Sequence, residues 1–270
     1  MSEYKNIILQ RNAGVTTILL NRVKAKNALS ENMIVELKSA LEAEAASETC
    51  TALVLRGVDG VFCAGGDIKD MEDAKKPVPE GEQDPLIFRN TAYGDVLKMI
   101  VEFPAPVISV CEGVALGGGF GFVCVSDIVL AERDTLFGMP EIRLGIPPAQ
   151  IGPYVVRRLG LFQAMRLAML AERFNGDRAL ELGLVHGLAE GVNALDEALK
   201  KELSALAKGS PEAIRKTKAL FQREANHVAA HSPAELARMF SEAIRFGEGQ
   251  EGVKAFTEKR SPNWSLEARS

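Results

Sequence analysis

The sequence lacks every pattern that would place the protein in a membrane or on nucleic acid. No apolar run approaches the roughly 20 residues that a membrane-spanning helix needs, and residues 1–10 show no positive stretch followed by an apolar one, as a secretion signal would. The 32 Lys and Arg nearly balance the 36 Asp and Glu, and no basic stripe appears. We therefore expect a cytoplasmic protein that binds neither membrane nor nucleic acid.

Histidine and cysteine are scarce and scattered. The three histidines have no cysteine partner at the spacing of metal ligands, and no two cysteines form a Cys-x-x-Cys pair. A zinc site and a catalytic triad built on histidine are thereby disfavoured. The pattern predicts no metal and favours buried, reduced thiols at Cys50, Cys63, Cys111 and Cys124.

The first half of the chain alternates strand-like and helix-like segments. Residues 7–10 and 15–20 predict a hairpin, residues 30–47 a helix that begins at a capping serine, and residues 51–56 and 106–111 two buried strands. Each buried strand leads through a glycine-containing turn to a helix. A repeated unit of this kind favours an α/β fold in which parallel strands stack with helices outside.

From about residue 151 onward the pattern is mostly helical. We expect residues 1–200 to form the core and residues 201–270 to form a C-terminal helical region. The apolar faces of that region are larger than a terminal tail exposes, which predicts burial against the core or another subunit. Residues 74–85 are rich in proline, glycine and charge and predict a mobile surface loop.

Two glycine-rich turns carry the main chemical signal, residues 61–68 (VFCAGGDI) and residues 112–121 (EGVALGGGFG). Glycine lets a backbone N–H approach a ligand closely, and a following helix adds the positive end of its dipole. Two such amides that converge would hold a carbonyl oxygen, and hold it better as an enolate. The plainer alternative is a pair of tight turns. No dinucleotide fingerprint, nucleophile elbow or phosphate-loop lysine accompanies them.

Together these turns resemble the enoyl-CoA hydratase/isomerase (crotonase) superfamily. Residues 21–29 (NRVKAKNAL), 139–145 (MPEIRLG) and 251–264 (EGVKAFTEKRSPNW) add to the resemblance in family order. It implies a crotonase-like spiral of ββα turns, with C-terminal helices that make homotrimers, often paired into hexamers. It implies an acyl-CoA substrate and no cofactor apart from the coenzyme A that the substrate carries.

The resemblance also implies roles for individual residues. Gly66 and Gly118 match the two positions whose backbone N–H groups bind the thioester oxygen. Phe256 and Lys259 match a pair that reaches the adenine ring and a phosphate, typically from a neighbouring subunit. The residues expected to contact the acyl-CoA are, in chain order, Lys24, Ala64, Gly66, Ile68, Gly118, Phe256 and Lys259.

The sequence departs from the family at one catalytic position. Family hydratases generally use two glutamates. One is present as Glu141, after Pro140, but Gly121 holds the position of the other. Hydration needs one group to activate water and one to protonate C2, whereas moving a double bond from position 3 to position 2 needs a single base. Three hypotheses follow: a hydro-lyase with Glu141 as acid/base, a Δ3,Δ2-enoyl-CoA isomerase with Glu141 as sole base, and a CoA-binding homologue without catalysis.

Residues 117–127 and 140–160 resemble a hydratase branch that acts on glutaconyl-type thioesters, including isohexenylglutaconyl-CoA hydratase. Such substrates carry their own carboxylate. We expect Gly121 to leave room, so that this carboxylate or a water held by it could replace the missing glutamate. Tyr93 and Arg89 are candidates either for lining the acyl pocket or for meeting a substrate carboxylate, and Asp67 is expected to cap the helix after the first turn.

Overall fold

The structure is a computed structural model that describes residues 4–73, 78, 84–225, 232–246 and 248–263. Most of the surface loop predicted over residues 74–85 lies outside these ranges, as do residues 264–270. Among the described helices, none is both long enough and apolar enough to cross a membrane.

The described strands form two sheets. The larger has the order β1-β2-β3-β4-β6-β9, with β1 and β2 antiparallel and every other neighbouring pair parallel. The smaller has the order β5-β7-β8. The strand bounds are β1 (Ile7–Asn12), β2 (Val15–Leu20), β3 (Ala52–Gly57), β4 (Val107–Cys111), β5 (Val114–Leu116), β6 (Ile128–Glu132), β7 (Leu136–Gly138), β8 (Arg173–Phe174) and β9 (Gly187–Ala189).

Helices follow the strands and dominate the second half of the chain. Two short 3₁₀ turns, Val23–Ala25 and Glu141–Leu144, lie among them. The α-helices are α1 (Glu31–Ala45), α2 (Ile68–Asp73), α3 (Pro85–Glu102), α4 (Gly118–Val125), α5 (Gly152–Leu159), α6 (Leu161–Leu170), α7 (Gly176–Glu181), α8 (Val192–Leu206), α9 (Pro211–Ala225), α10 (Pro233–Phe246) and α11 (Gly249–Thr257).

The predicted α/β architecture of repeated strand, turn and helix is confirmed. Strands β3, β4 and β6 run parallel, and each leads through a turn or a short strand to a helix. The mostly helical prediction after residue 151 holds for the helices α5 to α11 but missed two short strands, Arg173–Phe174 and Gly187–Ala189. The second adds the sixth strand of the large sheet, beside Leu130–Glu132. Three residues are too few to show an alternating pattern, so the pairing partner decides their structure.

The central strands β3 and β4 of the large sheet are buried on both faces, as parallel strands in the middle of a sheet usually are. In β3, Leu53 and Leu55 face the main core, and Val54 faces the opposite side. That opposite side packs against Leu195 of α8. The boundary predicted between residues 200 and 201 falls inside α8.

The C-terminal helices fold back onto their own chain. Helix α10 lies along α3, where Arg245 forms an ion pair of 2.5 Å with Asp84, the N-cap of α3. Helix α11 packs against the 3₁₀ turn at Glu141, so closely that a Cβ on Gly252 would collide with the Leu144 carbonyl. These contacts bear out part of the burial predicted for this region, although Phe221 of α9 remains exposed.

Helix α9 is anchored by a charge that is almost entirely buried. Lys218 donates to Asp127 at 2.6 Å and to the Ala105 carbonyl at 3.1 Å, and its side chain is 10% exposed. Asp127 also accepts from the Val107 N–H at the start of β4. The pair therefore joins α9 to the sheet.

Replacing Lys218 should cost much more stability than replacing its near neighbour on the same helix. Lys218→Met leaves Asp127 without its cation and should lower the free energy of unfolding by about 2–4 kcal/mol. Lys216 pairs with Glu212 at the surface, with both side chains 76% exposed. Lys216→Met should therefore change the free energy of unfolding by less than about 0.5 kcal/mol. Urea unfolding of both variants measures the difference, and equal losses would contradict the anchoring role.

Candidate active site

The two predicted glycine turns lie side by side because their flanking segments pair through the backbone. The Phe62 N–H donates to the Glu112 carbonyl at 2.8 Å, and the Cys63 N–H to the Val114 carbonyl at 2.9 Å. The Leu116 N–H returns a bond to the Cys63 carbonyl at 3.0 Å. These bonds hold the two turns in a fixed relation to each other.

Each turn bends at a glycine that the backbone requires. Gly65 has φ of 102° and Gly117 has φ of 50°, in the left-handed region that other residues rarely adopt. A Cβ on Gly65 would also lie 3.0 Å from the Leu116 carbonyl oxygen. The bends are followed directly by Gly66 and Gly118.

The N–H groups of Gly66 and Gly118 donate to no hydrogen-bond acceptor in the described part of the chain. Both glycines line the same cavity, and Gly118 is the first residue of α4, at the positive end of that helix. Two free donors at one cavity provide what an oxyanion hole needs. The structure thus brings together the two residues that the sequence predicted for this role.

The cavity and the solvent at its open mouth together occupy about 730 Å³. Three of its charged lining residues and Arg22 have these contacts: Arg89 pairs with Glu31 at 2.7 Å, and Asp67 pairs with Arg22 at 2.7 Å. Asp70, which also lines the cavity, accepts a hydrogen bond from the Glu31 backbone N–H at 3.0 Å. The Asn90 Oδ1 atom is buried and has no partner among the described residues. The apolar and aromatic lining residues are Leu29, Ile34, Leu86, Tyr93 and Phe240.

Two predictions about residues at this cavity are confirmed. Tyr93 and Arg89 both line it, as expected for the acyl pocket. Asp67 caps α2, because its Oδ1 accepts from the Lys69 N–H at 3.0 Å. Glu112, which directly precedes the second turn, forms two 2.7 Å bonds to Arg56 and is therefore a buried structural partner.

Glu141 lies against the second turn, at the start of its 3₁₀ turn. Its Oε1 atom is 3.2 Å from the position that a Cβ on Gly117 would take. Its Oε2 atom is buried and has no hydrogen-bond partner in the described residues. Burial raises the pKa of Glu141 to about 7. A buried carboxyl with a pKa near neutrality can both take and return a proton.

The expectation that Gly121 leaves open room is wrong. A Cβ on Gly121 would overlap the hydroxyl oxygen of Tyr93 and lie 2.5 Å from Cγ2 of Ile151. The space of a side chain at this position is therefore already filled by Tyr93, which reaches it from α3. The Tyr93 hydroxyl donates to the Gly118 carbonyl at 2.7 Å.

The residues predicted to contact coenzyme A fall into two groups. Ala64 and Ile68 flank Gly66 on the first turn, and Ile68 packs against the cluster that includes Leu86. Neither Ala64 nor Ile68 is among the residues that line the cavity. The other group does not line it either and is exposed; it comprises Lys24, Phe256 and Lys259. Lys24 lies two residues before Lys26, whose carbonyl accepts from the Ala64 N–H of the first turn at 3.0 Å. No backbone hydrogen bond between the described residues joins Phe256 or Lys259 to either glycine turn.

The cysteines are confirmed as buried and free. Burial raises the pKa of Cys63 and Cys124 to about 12, which keeps them as thiols. Among the described residues, no group of three His, Cys, Asp or Glu side chains could hold a metal ion.

Sequence reasoning did not find that Tyr93 fills the position of the missing glutamate. A usable signal was the spacing of Leu86, Asn90 and Tyr93, which are four and three residues apart and share one face of α3. The helical spacing predicts that these three residues share a face. Whether that face contacts Gly121 depends on how α3 packs against α4, which the spacing does not show. Phe240 was missed for the same reason, since it reaches the cavity from α10.

Comparisons with known proteins agree with this geometry. The sequence model of the enoyl-CoA hydratase/isomerase family matches residues 10–267. The 2,3-dehydroadipyl-CoA hydratase of Escherichia coli K12 is 28% identical over 259 residues, covering 96% of this chain and 98% of that protein.

Solved structures are more similar still. Pseudomonas aeruginosa AtuE is 44% identical with a TM-score of 0.78, covering 96% of this chain and 99% of that one. An enoyl-CoA hydratase/isomerase from Marinobacter aquaeolei is 41% identical with a TM-score of 0.79, covering 96% and 98%.

Adding a methyl group at Gly121 should displace the Tyr93 hydroxyl. Gly121→Ala should lower the free energy of unfolding by about 1–3 kcal/mol, since overpacking a filled site costs that much. Gly152 is the matched control, because it also lies in a helix but a Cβ there meets nothing within 4 Å. Gly152→Ala should be neutral or stabilising by up to about 1 kcal/mol. Thermal and urea unfolding compare the two, and a neutral Gly121→Ala would show that position 121 is open after all.

The raised pKa of Glu141 predicts a pH-dependent stability. The folded chain holds the proton more tightly than the unfolded chain, so stability falls as pH rises from about 4.5 to about 7. Glu141→Gln removes this loss and should stabilise the protein at pH 8 by up to about 3 kcal/mol. Urea unfolding at pH 5 and pH 8 tests this. The control is Glu197→Gln, because the Glu197 side chain on α8 is exposed. A variant no more stable than wild type at pH 8 would mean that Glu141 ionises without hindrance.

Proposed function

The chain belongs to the enoyl-CoA hydratase/isomerase family, and on that premise we propose that it is a hydro-lyase that adds water to a 2-enoyl-CoA, with Glu141 as acid/base. The observation that carries the proposal is the buried carboxyl of Glu141, which lies against the Gly117 bend next to Gly118 and has one oxygen without a hydrogen-bond partner in the described residues. An acyl-CoA substrate fits the family. Coenzyme A enters as part of that substrate, and no further cofactor is proposed.

The two amides act on the thioester oxygen. It accepts hydrogen bonds from the Gly66 and Gly118 N–H groups when the substrate is bound. As water adds to C3, the electrons of the C2=C3 bond move towards this oxygen and an enolate forms. The amides, together with the positive end of α4, stabilise the developing charge more than the ground state, which is what accelerates a reaction.

Glu141 supplies the proton transfers. As the carboxylate, it takes a proton from the attacking water while the water oxygen bonds to C3. It then returns that proton to C2 of the enolate, which completes the 3-hydroxyacyl-CoA and restores the carboxylate. A pKa of about 7 suits both steps, because neither form of the group is strongly favoured near neutrality.

The acyl chain that fits this cavity is uncharged. Leucine, isoleucine and phenylalanine side chains line the cavity, and its one lining arginine, Arg89, is already paired with Glu31. A glutaconyl-type thioester is the second candidate substrate. It is favoured by the name of the E. coli relative, a hydratase of 2,3-dehydroadipyl-CoA. A carboxylate on the substrate would have to displace Glu31 from Arg89.

Isomerisation is the second candidate reaction. A Δ3,Δ2-isomerase needs one base that removes a proton from C2 and returns one at C4, and Glu141 meets that need alone. The observation that favours it is the absence of a carboxyl at Gly121. The two reactions share the enolate and differ in whether water takes part.

We propose that the protein assembles as a homotrimer, alone or as paired trimers. Support comes from α6, where Phe162 is 83% exposed and Met169 and Leu170 are also exposed. An apolar face of that kind on one helix favours contact with another copy. In the assembly, Phe256 and Lys259 would contact coenzyme A bound at a neighbouring subunit, and Lys24 the nucleotide of its own.

Activity assays separate these alternatives. We expect purified protein to hydrate crotonyl-CoA and longer 2-enoyl-CoAs more rapidly than it isomerises 3-enoyl-CoAs. Glu141→Gln should lower kcat at least about 100-fold in either reaction, because it removes the proton acceptor. Glu197→Gln should retain wild-type activity.

Three results would contradict the proposal. Isomerisation that exceeds hydration on matched chains would favour the isomerase. Activity that survives in Glu141→Gln would exclude Glu141 as the base. A clear preference for glutaconyl-type over plain enoyl-CoAs would show that the substrate carries a carboxylate.

A further inference from the structure

One polar group at the cavity is not used by this mechanism. The Tyr93 hydroxyl lies 3.4 Å from the position that a Cβ on Gly118 would take, and it lines the cavity. It also fills the space of a side chain at Gly121. The Tyr93 hydroxyl therefore lies where the family resemblance would place the side chain of the second catalytic glutamate. That glutamate would belong to α4, whereas Tyr93 belongs to α3.

We propose that Tyr93 holds the attacking water and so replaces the glutamate that the sequence lacks. This inference rests on the proposed hydration activity. It assigns the second polar partner that hydration needs and isomerisation does not. It also explains how a chain with one catalytic carboxyl can still direct a water to C3.

The hydrogen bonding of Tyr93 fixes its role. Its hydrogen is committed to the Gly118 carbonyl at 2.7 Å, so the hydroxyl oxygen offers lone pairs to a donor in the cavity. Burial raises the pKa of Tyr93 well above its usual value, with Cys63 and Glu141 acting in the same direction. The hydroxyl therefore stays protonated, and it accepts a hydrogen bond from water without taking its proton.

Glu141 and Tyr93 flank consecutive residues of the same turn. Glu141 Oε1 lies 3.2 Å from the Cβ position of Gly117, and Tyr93 Oη lies 3.4 Å from that of Gly118. A water between them would donate one hydrogen to Tyr93 and the other to Glu141. Glu141 takes its proton as the oxygen bonds to C3, and later returns it to C2. Tyr93 is unchanged throughout, and the product keeps the O–H that pointed at it.

The tyrosine is held firmly enough for this task. Its ring packs against Phe122 of α4, with centroids 5.8 Å apart and planes tilted by 55°. Ile151 closes the other side of the Gly121 site. A side chain fixed at both the ring and the hydroxyl places a water with little loss of entropy.

A purely structural role makes a different prediction. If Tyr93 only steadied the Gly118 turn, its loss would weaken the oxyanion hole and every step that passes through the enolate. If it holds water, its loss affects hydration alone. Exchange of the C2 protons of a saturated thioester with solvent needs Glu141 and the enolate, but no attack of water at C3.

The test therefore compares hydration of crotonyl-CoA with exchange of the C2 protons of butyryl-CoA in D₂O. Tyr93→Phe keeps the ring and removes the hydroxyl. We expect its hydration kcat to fall about 100-fold, with KM changed by less than about threefold. Its exchange rate should stay within about threefold of wild type. Tyr154→Phe, a half-buried tyrosine outside the cavity, is the control and should leave both rates unchanged.

The outcomes are distinct. Undiminished hydration by folded Tyr93→Phe, or equal losses of hydration and exchange, would overturn the water-holding role while leaving the proposed function intact. Wild-type protein that exchanges and isomerises but does not hydrate would overturn the proposed function and this inference with it. If Tyr93→Phe does not fold, Gly121→Ala serves instead, since it displaces the same hydroxyl and should show the same separation of the two rates.

Discussion

The N–H groups of Gly66 and Gly118 have no acceptor within the described chain, and much of the structure serves to keep them so. The chain could satisfy them by continuing its strand pairing or by winding one more turn of helix. At the first turn, Leu29 bonds to the residues on either side, Gly65 and Asp67, which leaves the Gly66 N–H between them without an acceptor. Gly65 and Gly117 bend the backbone at positive φ just before each donor. The bonds between residues 62–63 and 112–116 then lock the two bends together. Backbone donors fixed in advance stabilise a developing charge without reorganising during the reaction.

The two side chains to which we assign chemistry beside these turns differ in what they contribute to stability. Glu141 has a buried carboxylate oxygen without a partner, which favours the protonated form and costs stability once the group ionises. Helix α11 compensates by packing its glycine backbone against the turn that carries Glu141. Tyr93 is the opposite case, since its hydroxyl is both bonded and packed. Gly121 has no side chain, and Tyr93 of α3 occupies the space that a side chain there would take. The site therefore combines two polar side chains, Tyr93 and Glu141, of which one is a carboxyl.

The parts of the fold that are local in sequence could be predicted. Apolar periodicity predicts the buried strands β3 and β4 and the helices, and glycine content predicts both glycine turns. The strand Gly187–Ala189 could not be predicted, because pairing with β6 rather than its own pattern makes it a strand. The site shows the same division. Gly66, Gly118 and Glu141 were found from motifs along the chain. Gly121 was misread as open space, because a glycine in a sequence does not reveal which distant side chain occupies the volume beside it.

The most direct test of this account is a crystal structure of the protein with butyryl-CoA, a saturated thioester that cannot be hydrated. The account predicts that the thioester oxygen lies about 2.7–3.1 Å from both the Gly66 and the Gly118 nitrogen, with the acyl chain in the cavity that Tyr93 lines. A thioester oxygen that contacts neither amide, or an acyl chain bound elsewhere, would contradict it.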